Sequence, residues 1–215
     1  VSVLFFVRHG LTAATGVRLT PVDISLSPEG REQAAAVAER LRVVPFAALY
    51  VSPVRRCLET AEAVAAGRNL EPTQVAGLAD TEYGTYSGRT FRQLARSPLW
   101  KQLKRRPSSI RFPDGESLGE VQQRTVSAIE EIAARHPKGP VAVVTHADPI
   151  LLMLAHYGGV HVDLFERFVV SPASVTVLAL NGGVPHILRV NDSGPFDTLL
   201  PPEKGPAAKR PRPLP

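Results

Sequence analysis

Two apolar runs in this chain end on histidine. Val3-Leu4-Phe5-Phe6-Val7 is followed by Arg8-His9-Gly10, and Val141-Ala142-Val143-Val144-Thr145 is followed by His146. Such a run suits a strand buried on both faces, as in a parallel sheet. Titratable groups at the C-terminal ends of such strands stand where an open α/β sheet puts its ligand. A third run, Phe46 to Val51, leads at once into Ser52-Pro53 and then Arg55-Arg56. If the three strands share one parallel sheet, two histidines and two or three arginines converge on one edge. Positive groups gather at a cost unless an anion sits among them. Phosphate is the natural occupant, because guanidinium forks match its oxygens bidentately.

Each of these residues also has a plainer use. A histidine at a strand end can be a satisfied surface or core residue. Arg55 and Arg56 can form a solvated helix face, and Asp80 and Glu82 can be loop carboxylates that bond nearby amides. Cys57 reads as a small core residue. His136, His156, His161 and His186 stand at no matched spacing and receive no role. His146-Ala147-Asp148 could suggest a metal pair, but no third ligand follows at a recognisable spacing, and no metal is expected.

The elements that must position the histidines are legible in outline. A polar stretch from Leu11 to Ser25 reads as a long loop above the first strand. Ser27-Pro28-Glu29 starts a helix, with Ser as N-cap, Pro at the first helical position and an acid in the first turn. Ser52-Pro53 repeats that signature and predicts a helix from about 53 to 66. Strand, helix, strand, helix at this spacing argues for right-handed βαβ units and a parallel sheet. From Gly67 to Pro113 the pattern weakens: Val75 to Leu78 is a candidate short strand, and Thr90 to Arg106 reads as one or two short helices laid over the sheet. Ser117 to Glu120 fits a capping box at the start of a long amphipathic helix. A helix over 149–157 stops at Gly158-Gly159, and Ser174–Leu180 and Val184–Val190, joined through Asn181-Gly182-Gly183, read as a hairpin.

Composition bounds the answer further. The chain has 215 residues, 44% hydrophobic and 21% charged, which is enough for one good core. No apolar run approaches the roughly 18–20 residues of a membrane span, so no membrane partner is expected. The first apolar run is short and lacks a basic region before it, so a strand fits better than a signal segment. One cysteine excludes an internal disulfide, and the expected location is cytoplasmic. Four basic residues against one acidic residue in the last fifteen give that stretch +3 of the net +5. The basic balance therefore says little about the body, and nucleic acid is disfavoured as a partner. The expected organisation is a single catalytic domain over 1–194 and a Pro-rich basic tail over 195–215, extended or disordered.

Arg8-His9-Gly10 after an apolar strand resembles the signature of the histidine phosphatase superfamily, the phosphoglycerate-mutase-like fold. Further segments match in order. Leu26-Ser27-Pro28-Glu29-Gly30-Arg31-Glu32-Gln33-Ala34 is similar to L-T/S-x-x-G-x-x-Q-A, and Ser52 through Ala61 is similar to S-x-x-x-R-x-x-x-T-A. Gly84-Thr85-Tyr86-Ser87-Gly88 resembles G-x-W-x-G with Tyr for Trp, Pro113 to Ser117 matches P-x-G-E-S, and Val144-Thr145-His146 matches V-S/T-H. The resemblance covers about residues 3 to 190. It implies a three-layer α/β/α sandwich on a mostly parallel central sheet. It also implies a histidine acid-type phosphatase, a metal-independent phosphoric monoester hydrolase acting on small phosphorylated substrates and releasing inorganic phosphate.

Carried over, the resemblance makes His9 the nucleophile that forms a phosphohistidine. Arg8, Arg56 and His146 hold the phosphoryl oxygens. Thr15, where many members have Asn, is a further phosphate ligand. The acid falls at Asp80, where many members have Glu, and Glu82 is the rival. Arg55 does not match and is left out. No cofactor is implied, and a homodimer is left open. Within the family the alternative is a cofactor-dependent phosphoglycerate mutase, whose E-R-H-Y-G corresponds to Asp80-Thr81-Glu82-Tyr83-Gly84; the missing Arg and His weigh against it. A non-catalytic phospholigand-binding module is the alternative of another class, disfavoured because both histidines and both matched arginines are present. The basic stretch of Lys101, Lys104, Arg105, Arg106 and Arg111 leaves a polyanionic substrate open, or is a solvated helix face.

Overall fold

The computed structural model describes residues 1–20, 23–180 and 182–194. β1 (Ser2–Arg8), β2 (Ala48–Val51), β3 (Pro72–Gln74), β4 (Gly139–Thr145), β5 (Val175–Leu180) and β6 (His186–Asp192) form one sheet in the order β3-β2-β4-β1-β5-β6. The β3–β2, β2–β4 and β4–β1 pairs are parallel, and β5 and β6 add antiparallel to the far side of β1. The sheet is therefore mostly parallel with an antiparallel flank, closed by the expected hairpin. The turn position Asn181 lies outside the described residues, as does the tail.

Both faces of β1 are covered, which is why its run is continuously apolar. Leu4 and Phe6 pack into a core with α5 (Leu118–Arg135) and α6 (Ala147–Tyr157). Val3, Phe5 and Val7 face α1 (Pro28–Arg40) and α2 (Arg55–Ala65). The result is three layers, α/β/α. A third cluster fills the space under the 86–118 segment, where α3 (Phe91–Leu94) and α4 (Pro98–Arg105) bring Leu94 and Leu103 against Phe112, Leu118 and Phe165. No helix among the described residues is long and apolar enough to cross a membrane.

Local signals explain most helix starts. Ser27 Oγ accepts from Gly30 N at 3.0 Å with Pro28 at the first position, and Ser117 and Glu120 form the full capping box. Three expectations need correction. The strand expected at 75–78 is displaced to Pro72–Gln74. Residues 76–78 form a 3₁₀ turn, because Gly77 O and Leu78 O are taken by Arg124 and Thr145 rather than by a ladder. Proline is tolerated at the first residue of this edge strand. The helix expected from Pro53 begins at Arg55, with Val54 at its cap and no side-chain cap bond; the Ser52 hydroxyl is used elsewhere. The helix expected from Pro149 begins two residues earlier, at Ala147.

Candidate active site

Register brings the two histidines side by side. Arg8 is paired with Thr145 across β1 and β4, so His9 and His146 leave adjacent parallel strands at the same level. Their ring centroids are 5.2 Å apart, and His9 N donates to Thr145 O at 3.0 Å. β2 delivers Ser52 to the same edge, since Val51 pairs with Val144. Two glycines let the loop after His9 fold tightly onto α1. A Cβ on Gly10 would meet Gly30 O at 2.3 Å, and one on Gly30 would meet Leu11 O at 2.0 Å. Gln33 and Thr60 then bond the Leu11 and Gly10 amides, at 3.0 and 3.3 Å. The matched glycine, glutamine and threonine thus all serve the loop that carries His9.

The hydrogen bonds fix the His9 tautomer. His9 Nδ1 lies 2.7 Å from Gly10 O, which can only accept, so Nδ1 carries the proton and Nε2 presents a lone pair. Arg56 Nε donates to that Nε2 at 3.2 Å. Arg56 Nη2 lies 2.6 Å from Asp80 Oδ2 and 3.1 Å from His146 Nδ1. His146 Nδ1 also lies 3.4 Å from Asp80 Oδ2, and its Nε2 lies 2.8 Å from Ser52 Oγ. Burial holds both histidines well below the ordinary imidazole range. The charges of His146, Arg56 and Arg8 add to this for His9, and those of Arg56, Arg124 and Arg8 for His146. His9 is 4% exposed, His146 0% and Arg56 1%.

The remaining expected residues are placed as follows. Arg8 Nη1 donates to Val170 O at 2.5 Å, while its buried Nε has no hydrogen-bond partner among the described residues. Thr15 lines the cavity above His9, with its hydroxyl bonded to Thr12. Arg55 points away and pairs with Glu59. Glu82 is exposed and lines a neighbouring hollow, whereas Asp80 lines the cavity with His9. Cys57 is buried as expected, with Sγ 3.4 Å from His146 Nε2, and burial pushes its thiol up.

A second layer fastens Asp80. Arg124 donates to Gly77 O, Ala79 O and Asp80 O at 2.8–3.0 Å and grips both oxygens of Glu116. Glu116 in turn takes Glu82 N at 3.0 Å, and its own amide donates to Glu82 O. The segment bearing Asp80 is therefore clamped on both sides.

Sequence reasoning missed Ser52, Tyr83 and Asp148. The Ser52 signal was present but read as a helix cap. Asp148 was noticed only as a metal candidate. Its Oδ2 accepts from the Thr81 hydroxyl at 2.9 Å and from the Tyr83 hydroxyl at 2.8 Å. Burial and the Asp80 charge push its carboxyl up to about 6.

The comparisons with known proteins identify the family. The model of the histidine phosphatase superfamily (branch 1) matches residues 4–193. Phosphoserine phosphatase 1 of Hydrogenobacter thermophilus is 28% identical over 172 residues, 79% of this chain and 82% of that protein. Phosphoglycerate mutase-like protein 4 of Arabidopsis thaliana is 30% identical over 168 residues, 75% of this chain and 68% of that protein. The solved structure of Bacillus stearothermophilus YhfR superposes with a TM-score of 0.85 at 28% identity, covering 89% of this chain and 98% of that one.

Proposed function

The chain belongs to the histidine phosphatase superfamily, and we propose that it is a phosphomonoesterase that works through a phosphohistidine on His9 without a metal. One observation carries the reading. The Gly10 carbonyl holds the proton on His9 Nδ1, so Nε2 presents its lone pair to Arg56 Nε–H, a donor that an arriving phosphoryl group can take, in a pocket that keeps the ring neutral. A buried, uncharged, oriented imidazole is what a nitrogen nucleophile needs.

In the first step Nε2 attacks phosphorus and the bond to the alcohol oxygen breaks. Asp80, which takes a proton from solvent once the phosphoryl group draws Arg56 away from it, gives that proton to the oxygen. The ring's new positive charge faces the Gly10 carbonyl. Arg8 and Arg56 bond the transferring oxygens, and Thr15 stands beside them. Their charge meets the need that a Lewis acid would otherwise serve. In the second step Asp80 takes a proton from water as the water oxygen attacks phosphorus. The N–P bond breaks, phosphate leaves and His9 is neutral again. The arriving phosphoryl group competes for Arg56, freeing Asp80 from its ion pair for this traffic.

Two relatives are named for phosphoserine phosphatase and for likeness to phosphoglycerate mutase. Both names fit phosphoryl chemistry on small esters. The test is rapid quench with a labelled aryl phosphate. A base-stable, acid-labile phosphoenzyme should form and be absent from His9→Ala, whose turnover should fall at least about 1,000-fold. Full activity in that variant would sink the mechanism. Activity lost to EDTA and restored by a divalent ion would contradict its metal-free character.

A further inference from the structure

We propose that Asp148 sets the substrate class of this site by pairing with an ammonium group on the alcohol being released. The inference rests on the phosphatase reading and deepens it.

The cavity above His9 has a volume of about 260 Å³. That is below the roughly 300–1,000 Å³ of sites for drug-sized ligands, so the alcohol is small. Arg8, His9, Asp80, Asp148, Tyr83 and Trp100 are among the residues that line it, and Asp148 lies close enough to Arg8 and Asp80 to feel both charges. Apart from Arg8, the cavity's cations are otherwise engaged or exposed. Lys104 bonds Glu166 at 2.5 Å and lies 5.6 Å from the Trp100 ring centroid, and Arg18 is exposed. Among the described residues no Lys, Arg or His forms an ion pair with Asp148.

Asp148 is built to hold one orientation. Thr81 and Tyr83 both donate to Oδ2, and the Tyr83 ring stands edge-on to Phe112 with centroids 5.2 Å apart. Oδ1 has no hydrogen-bond partner among the described residues. A fixed carboxylate oxygen on the wall of a small cavity asks for a donor. A cationic donor answers best, because charge-assisted bonds are about twice as strong as neutral ones. The phosphate sharpens the choice. An ester dianion bound near Arg8 adds negative charge beside Asp148, and an acidic alcohol would add more. An ammonium group cancels it, and aromatic walls suit such a group.

The charged and titratable groups facing Asp148 are Asp80, Tyr83 and Arg8. With its carboxyl pushed up to about 6, Asp148 is ionised above that pH and neutral well below it. The preference should follow. Three matched esters test it: O-phosphoethanolamine, n-propyl phosphate and phosphoglycolate, compared as ratios of kcat/KM with each rate referred to the dianion fraction of its own ester, so that the phosphates' different titrations are removed. The wild-type protein should prefer the ammonium ester about 10-fold or more at pH 7.5 and only about 2-fold at pH 5. Asp148→Asn should bring the pH 7.5 ratio to within about 3-fold of unity. Equal use of the three esters, or a ratio that survives the substitution, overturns the inference while leaving the phosphatase intact. Should Asp148→Asn not fold, the wild-type pH series decides: a ratio flat from pH 7.5 to 5 overturns it. Release of phosphate from none of these esters, nor from an aryl phosphate, would instead overturn the phosphatase reading.

Discussion

The two ends of the cavity are built on different principles. The phosphate end is made by strand ends and the first turn of α2. Its side chains are buried, and the ring nitrogens of His9 and His146 each have a fixed partner. The alcohol end is made by Tyr83, α3, α4, the 162–167 turn and Asp148 on the first turn of α6, with the half-exposed Lys104–Glu166 pair on its wall. A parallel sheet can hold rings to fractions of an ångström because its register is fixed by core packing on both faces. Short helices over that sheet can change residue by residue without disturbing it. The reaction belongs to the first region and the choice of substrate to the second.

Arg124 joins the two regions, and its removal has the largest effect expected of a residue outside the cavity. It bonds three carbonyls of the segment carrying Asp80, those of Gly77, Ala79 and Asp80, without lining the cavity over His9. Arg124→Ala should slow alkyl esters by about 10- to 100-fold, the range expected when an acid is misplaced. Aryl esters, whose leaving groups scarcely need a proton, should slow only a few-fold. Arg124→Lys, unable to reproduce the fork, should recover little. Equal losses on both ester types would mean that the clamp holds the whole site and not the acid.

What the sequence made legible divides along the same line. The runs ending at His9 and His146, the Ser27 cap and the capping box at Ser117 report local physics: alternation, capping and burial. They place the sheet and the histidines. Ser52 was misjudged because a serine before proline at a strand end has the same signature whether it caps a helix or bonds a distant histidine; the distinction exists only across 94 residues of chain. β3 was displaced because Val75 and Leu78 are apolar for packing, while the carbonyls there serve Arg124 and Thr145. Asp148 looked like half of a metal pair. Its meaning came from Thr81 and Tyr83, more than sixty residues earlier. Partners brought together by the cover leave no spacing to read.

Asp148 offers the next comparison, between stability and selectivity. Its folded carboxyl titrates at about 6 against an ordinary 3.8. A raised carboxyl means that folding disfavours ionisation. The cost is absent below about pH 4, grows through the interval and is complete above about pH 6. Asp148→Asn removes it. The variant should be more stable at pH 7.5 by about 1–3 kcal/mol, with the gain shrinking to near zero at pH 4. Urea unfolding at the two pH values measures this. A variant less stable at pH 7.5 would mean that the Thr81 and Tyr83 bonds outweigh the burial of the charge.

The smallest effect belongs to the rim. Lys104 and Glu166 have side chains about half exposed, so their ion pair should add under about 1 kcal/mol to stability. Lys104→Gln should therefore shift the unfolding midpoint by no more than about 4 °C. Its removal leaves Glu166 unpaired on the cavity wall, adding one negative charge on the alcohol side. The kcat/KM ratio of ammonium to neutral ester should rise about 2- to 3-fold and fall back in high salt, because this charge, unlike Asp148, is open to screening. The alcohol end would then respond in proportion to how deeply each charge sits, while the chemical step on His9 stays as it was. A ten-fold drop in kcat from this rim substitution would show instead that cover and sheet act as one unit, and the division between the two ends would fail.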